Sequence, residues 1–168
     1  MVKSRSVKSR QSRPNLADAK SRAADPQGYV SQKELMATKA EIVEFLAAEY
    51  PHTNCTVEAV GGRSATVKHQ VGVNELRPGG TVSGPVLMAV ADVALYVAIL
   101  GEIGIVPLAV TTNLSINFMR KPSAERAIVG VCNLMKMGKS LAVGEVSLFS
   151  EGIEEPVAHV VGTYSIPR

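Results

Sequence analysis

The stretch that decides the fold is Arg77-Pro78-Gly79-Gly80-Thr81-Val82-Ser83-Gly84-Pro85, followed by an apolar run from Val86 to Leu100 whose single charge is Asp92. The run is apolar on every face, as in a helix wrapped by the rest of a protein. Its fifteen residues are short for a bilayer span, and an aspartate near the centre argues further against one. Ser83 or Thr81 is placed to cap this helix, Pro85 suits its first turn, and Gly84 lets a ligand approach the backbone. A central helix over residues 83–103 is therefore expected.

The pattern changes on both sides of this helix. Upstream, Cys55 to Val73 reads as two strands, with Thr56, Val57, Thr66, Val67, Val71 and Val73 flanking a Gly61-Gly62 turn. Earlier still, Ser31 and Glu34 form an S-x-x-E capping pattern. Leu35, Ile42, Phe45 and Leu46 follow at helical spacing until Pro51, which predicts an amphipathic helix over 31–50. Downstream of Gly104, four Val/Thr/Ile-rich runs (108–119, 127–137, 141–150 and 156–166) read as strands. The order is helix, two strands, buried helix, four strands. One antiparallel sheet curled around a single helix fits that order better than alternating βαβ units do, so the fold class is α+β.

Residues 1–30 are rich in Ser, Arg and Lys, carry Pro14 and Pro26, and show no apolar period. A disordered basic tail is expected there, with an organelle transit peptide or a polyanion-binding arm as alternatives. The remainder, 31–168, reads as one domain, in keeping with a chain of 168 residues. The net charge of +3 is misleading. Residues 1–22 hold seven Lys/Arg against Asp18 alone, whereas 23–168 hold eleven against fourteen Asp/Glu. The mildly acidic body gives no footprint for nucleic acid.

Two cysteines 77 residues apart (Cys55 and Cys132) make neither a disulfide framework nor a zinc cage. With no apolar stretch in the first 22 residues, a cytoplasmic location is expected. The phosphate-loop pattern fails at Gly138-Lys139-Ser140, because Asn133 stands five residues before Gly138 and a strand-like run follows. The three histidines show no ligand spacing, so neither a metal nor a cofactor is expected.

Asp92 carries the chemistry. A carboxylate in an apolar helix costs several kcal/mol to desolvate unless it is paired or bound to substrate. The free N–H groups at the start of the same helix, at Gly84, form an oxyanion site. Together they are a candidate acyl-transfer pair.

At this point the residues resemble a known family. Ser83-Gly84-Pro85 through Ala91-Asp92-Val93-Ala94 is similar to the H-G-G…(L)-A-D-x-A segment of hotdog-fold acyl-CoA thioesterases, in the phenylacetyl-CoA thioesterase (PaaI-like) branch. Val110-Thr111-Thr112-Asn113-Leu114 with Asn117-Phe118-Met119-Arg120-Lys121-Pro122 resembles the branch's V-T-x-D-L…F-L-R-P strand. Met137-Gly138-Lys139-Ser140-Leu141-Ala142 resembles its G-K-x-L-A turn. The resemblance covers about residues 55–166. It implies a hotdog fold that pairs into homodimers and often into dimers of dimers.

Carried over residue by residue, the resemblance makes Asp92 the general base or nucleophile and Gly84 the oxyanion N–H. It makes Thr111 the hydroxyl that positions the attacking water. Val110, Arg120, Lys121, Gly138, Lys139 and Ser140 fall in the substrate and coenzyme A region. The chain departs from the family at two positions, with Ser83 where the family has histidine and Arg77 where it has asparagine; either is placed to substitute in binding. The expected activity is hydrolysis of an acyl-CoA thioester, with coenzyme A as part of the substrate and no nucleic-acid or membrane partner. The alternative is a non-catalytic acyl-CoA-binding module, which loss of the histidine favours and retention of Asp92 disfavours. Only seven aromatic residues occur, and sequence alone ties none of them to a pocket.

Overall fold

Residues 35–167 are described in this computed structural model; the expected basic tail and the Ser31/Glu34 capping pattern lie outside them. The first helix, α1 (Lys39–Glu49), is followed by β1 (Cys55–Gly61) and β2 (Ser64–His69), then a two-residue hairpin, β3 (Leu76–Arg77) and β4 (Thr81–Val82). The long helix α2 (Gly84–Ile103) precedes four strands: β5 (Val110–Phe118), β6 (Ile128–Met137), β7 (Leu141–Ser150) and β8 (Ala158–Ser165). Six strands form one antiparallel sheet in the order β1-β2-β6-β7-β8-β5, with α2 packed along it as expected of a hotdog fold.

By length and hydropathy alone α2 is long and apolar enough to cross a bilayer, but 67% of that window is buried inside the protein. Gly104, at φ +89°, ends the helix and returns its N–H to the Leu100 carbonyl. Two glycines set how deeply α2 sits. Gly144 and Gly162 face each other across β7 and β8, and a Cβ on Gly144 would stand 2.7 Å from Leu95 Cδ2. A Cβ on Gly162 would likewise collide with Leu95 Cδ1. The missing side chains open a seat for fully buried Leu95. Asp92, one turn earlier on the same helix face, is thereby brought against β8 and β5.

The structure moves several sequence expectations. Helix α1 begins at Lys39 and does not extend back through 35–38, because Thr38 and Glu41 make its capping box: Thr38 Oγ1 accepts the Glu41 N–H and Glu41 accepts the Thr38 N–H. Leu35 precedes the helix, and Met36 instead donates its N–H to the Gly101 carbonyl. The β1–β2 turn falls at Gly62–Arg63, one residue later than expected, with φ of +58° and +61°. This doubly left-handed turn matches strand twist. Arg63 tolerates it because Glu102 accepts its N–H and Leu134 donates to its carbonyl.

Val71 and Val73 are not in a strand. Glu75 folds the chain back into a short 3₁₀ turn over Val73–Glu75 by accepting the Gly72 N–H and gripping the buried ring of His69 at 2.8 Å. Burial raises the Glu75 carboxyl, but the Gly72 N–H and His69 outweigh it and hold the group below the usual carboxylate range. The β3–β4 hairpin was not anticipated. Gly79 and Gly80, at φ +92° and +65°, turn it, and Ser83 is tied back to it by donating to the Glu75 carbonyl.

Candidate active site

Asp92 is not sealed inside the core; it is half-buried, and the more buried carboxylate of α2 is Glu102, which holds the β1–β2 turn. The Asp92 side chain leaves α2 between β5 and β8. Thr111 Oγ1 donates to its Oδ1 at 2.5 Å, and Tyr164 Oη donates to the same oxygen at 2.7 Å while lying 3.1 Å from the Asp92 carbonyl. Thr111 and Tyr164 are cross-strand partners. The two donors therefore come from one rung of the sheet and converge on one oxygen. Oδ2 has no hydrogen-bond partner among the described residues. Burial, reinforced by the Asp92 charge, pushes the Tyr164 hydroxyl well above its ordinary pKa, so it remains a protonated donor.

Asp92 opens into a cavity of about 480 Å³. Phe45, Glu49 and Tyr50 close it from α1 and its end, Tyr96 from α2, and Val110 with Thr111 from β5. Tyr164 forms the wall beside the carboxylate. The rings are mutually packed: Tyr96 stacks on Tyr164 with centroids 6.1 Å apart and meets the edge of Phe45 at 6.3 Å. Four of the seven aromatics thus line one cavity. Nothing in the motifs of the sequence singles out Tyr164. It lies in phase with the inward positions Ala158, Val160 and Gly162, and a buried tyrosine needs a hydroxyl partner, which was the available signal.

The remaining expected site residues divide into two groups at opposite ends of β5. At the Val110 end, with Asp92 and Thr111, stands the turn Gly138-Lys139-Ser140, since Val110 pairs with Ser165, Ser165 with Leu141, and Ile166 donates to the Ser140 carbonyl. At the Phe118 end stand Gly84, Ser83, Arg77, Arg120 and Lys121. A Cβ built on Gly84 lies 3.1 Å from the Phe118 ring, and Lys121 Nζ donates to the Gly79 carbonyl of the β3–β4 turn at 3.3 Å. Arg120, two residues past Phe118, donates to the Pro156 carbonyl. Nine strand residues set the two ends roughly 27 Å apart. Ser83 caps α2 without a side-chain hydrogen bond, so the N–H groups of the first turn, Gly84 included, keep no intrahelical partner. One chain does not bring Gly84 to Asp92.

The Thioesterase superfamily profile matches residues 79–157. No curated protein matches the chain. A protein of Silicibacter sp. TM1040 regarded as a thioesterase is 44% identical, with a TM-score of 0.75 over 80% of this chain and 95% of that one. The PaaI protein from the phenylacetic acid degradation operon of E. coli shares the fold at 20% identity, with a TM-score of 0.64 over 76% of this chain and 94% of that one. A hypothetical thioesterase of Streptococcus pneumoniae TIGR4 with coenzyme A shares it at 18% identity, with a TM-score of 0.61 over 68% and 86%. With α2 wrapped by an antiparallel sheet, and with a similar chain matched over nearly its whole length, this protein belongs to the thioesterase superfamily and has the hotdog fold.

Proposed function

We propose that the protein hydrolyses an acyl-CoA thioester to coenzyme A and a carboxylic acid, with Asp92 as the base. The observation that carries this reading is the one-sided grip on Asp92. Thr111 and Tyr164 occupy Oδ1 and leave Oδ2 to the cavity. A water held at Oδ2 gives up its proton as its oxygen attacks the thioester carbonyl. The Gly84 N–H at the α2 terminus stabilises the oxyanion. The tetrahedral intermediate then collapses, the C–S bond breaks, and the thiolate of coenzyme A leaves and takes a proton. No cofactor enters these steps. The coenzyme A found with the S. pneumoniae protein of this fold supports a coenzyme A thioester as substrate.

The catalytic unit is a homodimer, itself able to pair again. Gly84 and Asp92 are eight residues apart on one helix, roughly 12 Å along its axis, too far for one thioester to touch both. The edge strand β5 leaves one side unpaired in the sheet order and exposes Val110 and Phe118 by about half. Pairing two β5 strands antiparallel about a two-fold axis sets the Phe118 end of one beside the Val110 end of the other. Gly84, Ser83, Arg77, Arg120 and Lys121 of one protomer then complete a site with Asp92, Val110, Thr111 and the Gly138–Ser140 turn of its partner. Backbone N–H groups and basic side chains among these suit coenzyme A phosphates.

The test is thiol release from a panel of acyl-CoAs by wild type and Asp92→Asn. Asn keeps an oxygen to accept from Thr111 and Tyr164, so melting temperature should hold while turnover falls about 10²–10⁴-fold. Near-normal turnover in the folded variant would overturn the assignment. Tight acyl-CoA binding with no turnover by wild type would favour the binding module instead.

A further inference from the structure

The acyl cavity holds two carboxylates, Asp92 and Glu49, and no Lys, Arg or His among its lining residues. All but one of the hydroxyl hydrogens along its described lining are already committed. Thr111 and Tyr164 donate to Asp92, and Tyr96 turns its hydroxyl to the carbonyls of Val106 and Pro107. Among the described side chains that line the cavity, only Tyr50 keeps a hydroxyl hydrogen to offer. The remaining polar surface consists of acceptors set between aromatic walls.

Glu49 stands out independently. It occupies the last turn of α1, where the negative end of the helix dipole disfavours an acid, and that turn holds no basic residue. No described residue forms an ion pair or hydrogen bond with it. A residue that breaks a local rule without a compensating contact points to a role outside local stability, and Glu49 also lines the cavity.

Resting on the hydrolase reading above, we infer that Glu49 is a specificity-determining residue that restricts the site to uncharged or donor-bearing acyl groups and turns away acyl groups that end in a carboxylate. With its thioester carbonyl at Asp92, the acyl chain runs past Tyr96 toward Phe45 and Glu49. A terminal carboxylate there meets a like charge, with no Lys, Arg or His among the described residues of the same chain that line the cavity, and such a juxtaposition is disfavoured. A neutral tail meets aromatic rings.

The experiment compares acyl-CoA pairs of equal length, butyryl with succinyl and hexanoyl with adipyl, for wild type, Glu49→Gln and Glu49→Lys. Wild type should favour the neutral member by about tenfold or more in kcat/KM. Glu49→Gln should narrow that ratio, and Glu49→Lys should narrow it further or reverse it. Added salt should shrink the wild-type preference, because Glu49 is exposed. Melting temperature should stay level or rise in both variants, since each removes an acid from a helix C-terminus. Equal rates within pairs, or a ratio unmoved by both substitutions, overturns the inference and leaves the hydrolase reading standing. Should no thioester turn over, the hydrolase reading fails, and calorimetry with S-butyl-CoA and S-(3-carboxypropyl)-CoA decides the inference. Preferential binding of the neutral thioether supports it; equal binding, or none, overturns it.

Discussion

Asp92 is informative through what surrounds it. A carboxylate at the middle of an apolar helix was legible from the sequence as the residue to watch, but its partners were not. Thr111 was expected near it by resemblance, whereas Tyr164 lies 72 residues away and meets it only because β8 pairs with β5 at that rung. Tyr164→Phe removes one donor from Oδ1 and keeps the stack on Tyr96. Hydrogen bonds to a charged group are worth about 1.5–3 kcal/mol, so kcat should fall roughly ten- to a hundredfold, with KM changed little. Because Thr111 holds the same oxygen, the double variant Tyr164→Phe/Thr111→Val should lose a different amount than the sum of the single losses. Steady-state kinetics on the four proteins checks this, and strict additivity with unchanged kcat in Tyr164→Phe would show the tyrosine to be structural only.

At the scale of elements, packing decides where α2 lies, and two glycines decide the packing. Gly144 and Gly162 read from the sequence as unremarkable strand glycines; only the pairing of β7 with β8 opposes them, and only the helix above gives them Leu95 to accommodate. Gly162→Ala drives a methyl into fully buried Leu95 and should cost about 1–3 kcal/mol through overpacking. Leu95→Ala in the same chain should remove the clash, so the double variant should be more stable than the sum of the two single losses implies. Urea unfolding of the set measures this, and a neutral Gly162→Ala would mean that α2 shifts freely on the sheet. A displaced α2 would also move Asp92, so thiol release should fall in Gly162→Ala whether or not stability does. The start of α1 belongs to this scale too. Two S/T-x-x-E patterns stand close together, at Ser31 and at Thr38. Of the two, Thr38 begins α1, where Met36 is already fastened to α2 through the Gly101 carbonyl.

The whole molecule separates the proposed catalytic groups along β5, and this gives the shared site its sharpest test. Asp92→Asn and Gly84→Pro chains, each inactive alone, are mixed, unfolded and re-paired. Proline at Gly84 removes the N–H, and Ser83 already has the extended backbone that precedes proline (ψ 149°); because Pro85 follows, the Gly84→Pro chain is first shown to fold and dimerise. The proline ring meets Phe118, half-exposed and able to yield, and Gly84→Ala serves as the control that crowds Phe118 while keeping the N–H. Half of the dimers should be mixed, each with one intact site, so roughly a quarter of all sites should recover. Mixed dimers that form and stay inactive would show that each chain works alone.

The sequence by itself determined the central helix, because a run apolar on every face with an aspartate near its middle belongs inside a protein, and it determined the six strands of the main sheet, whose patterning is local. It also singled out Asp92 and Gly84, because a charge in an apolar helix and free N–H groups at its start are visible one residue at a time. Only the tertiary structure decided that Tyr164 meets Asp92, that an aromatic cavity forms with Glu49 at its rim, and that Gly84 and Asp92 face opposite ends of β5. Those depend on strand register and on which faces meet, and a shift of one residue in register would turn Thr111 and Tyr164 away from Asp92 altogether.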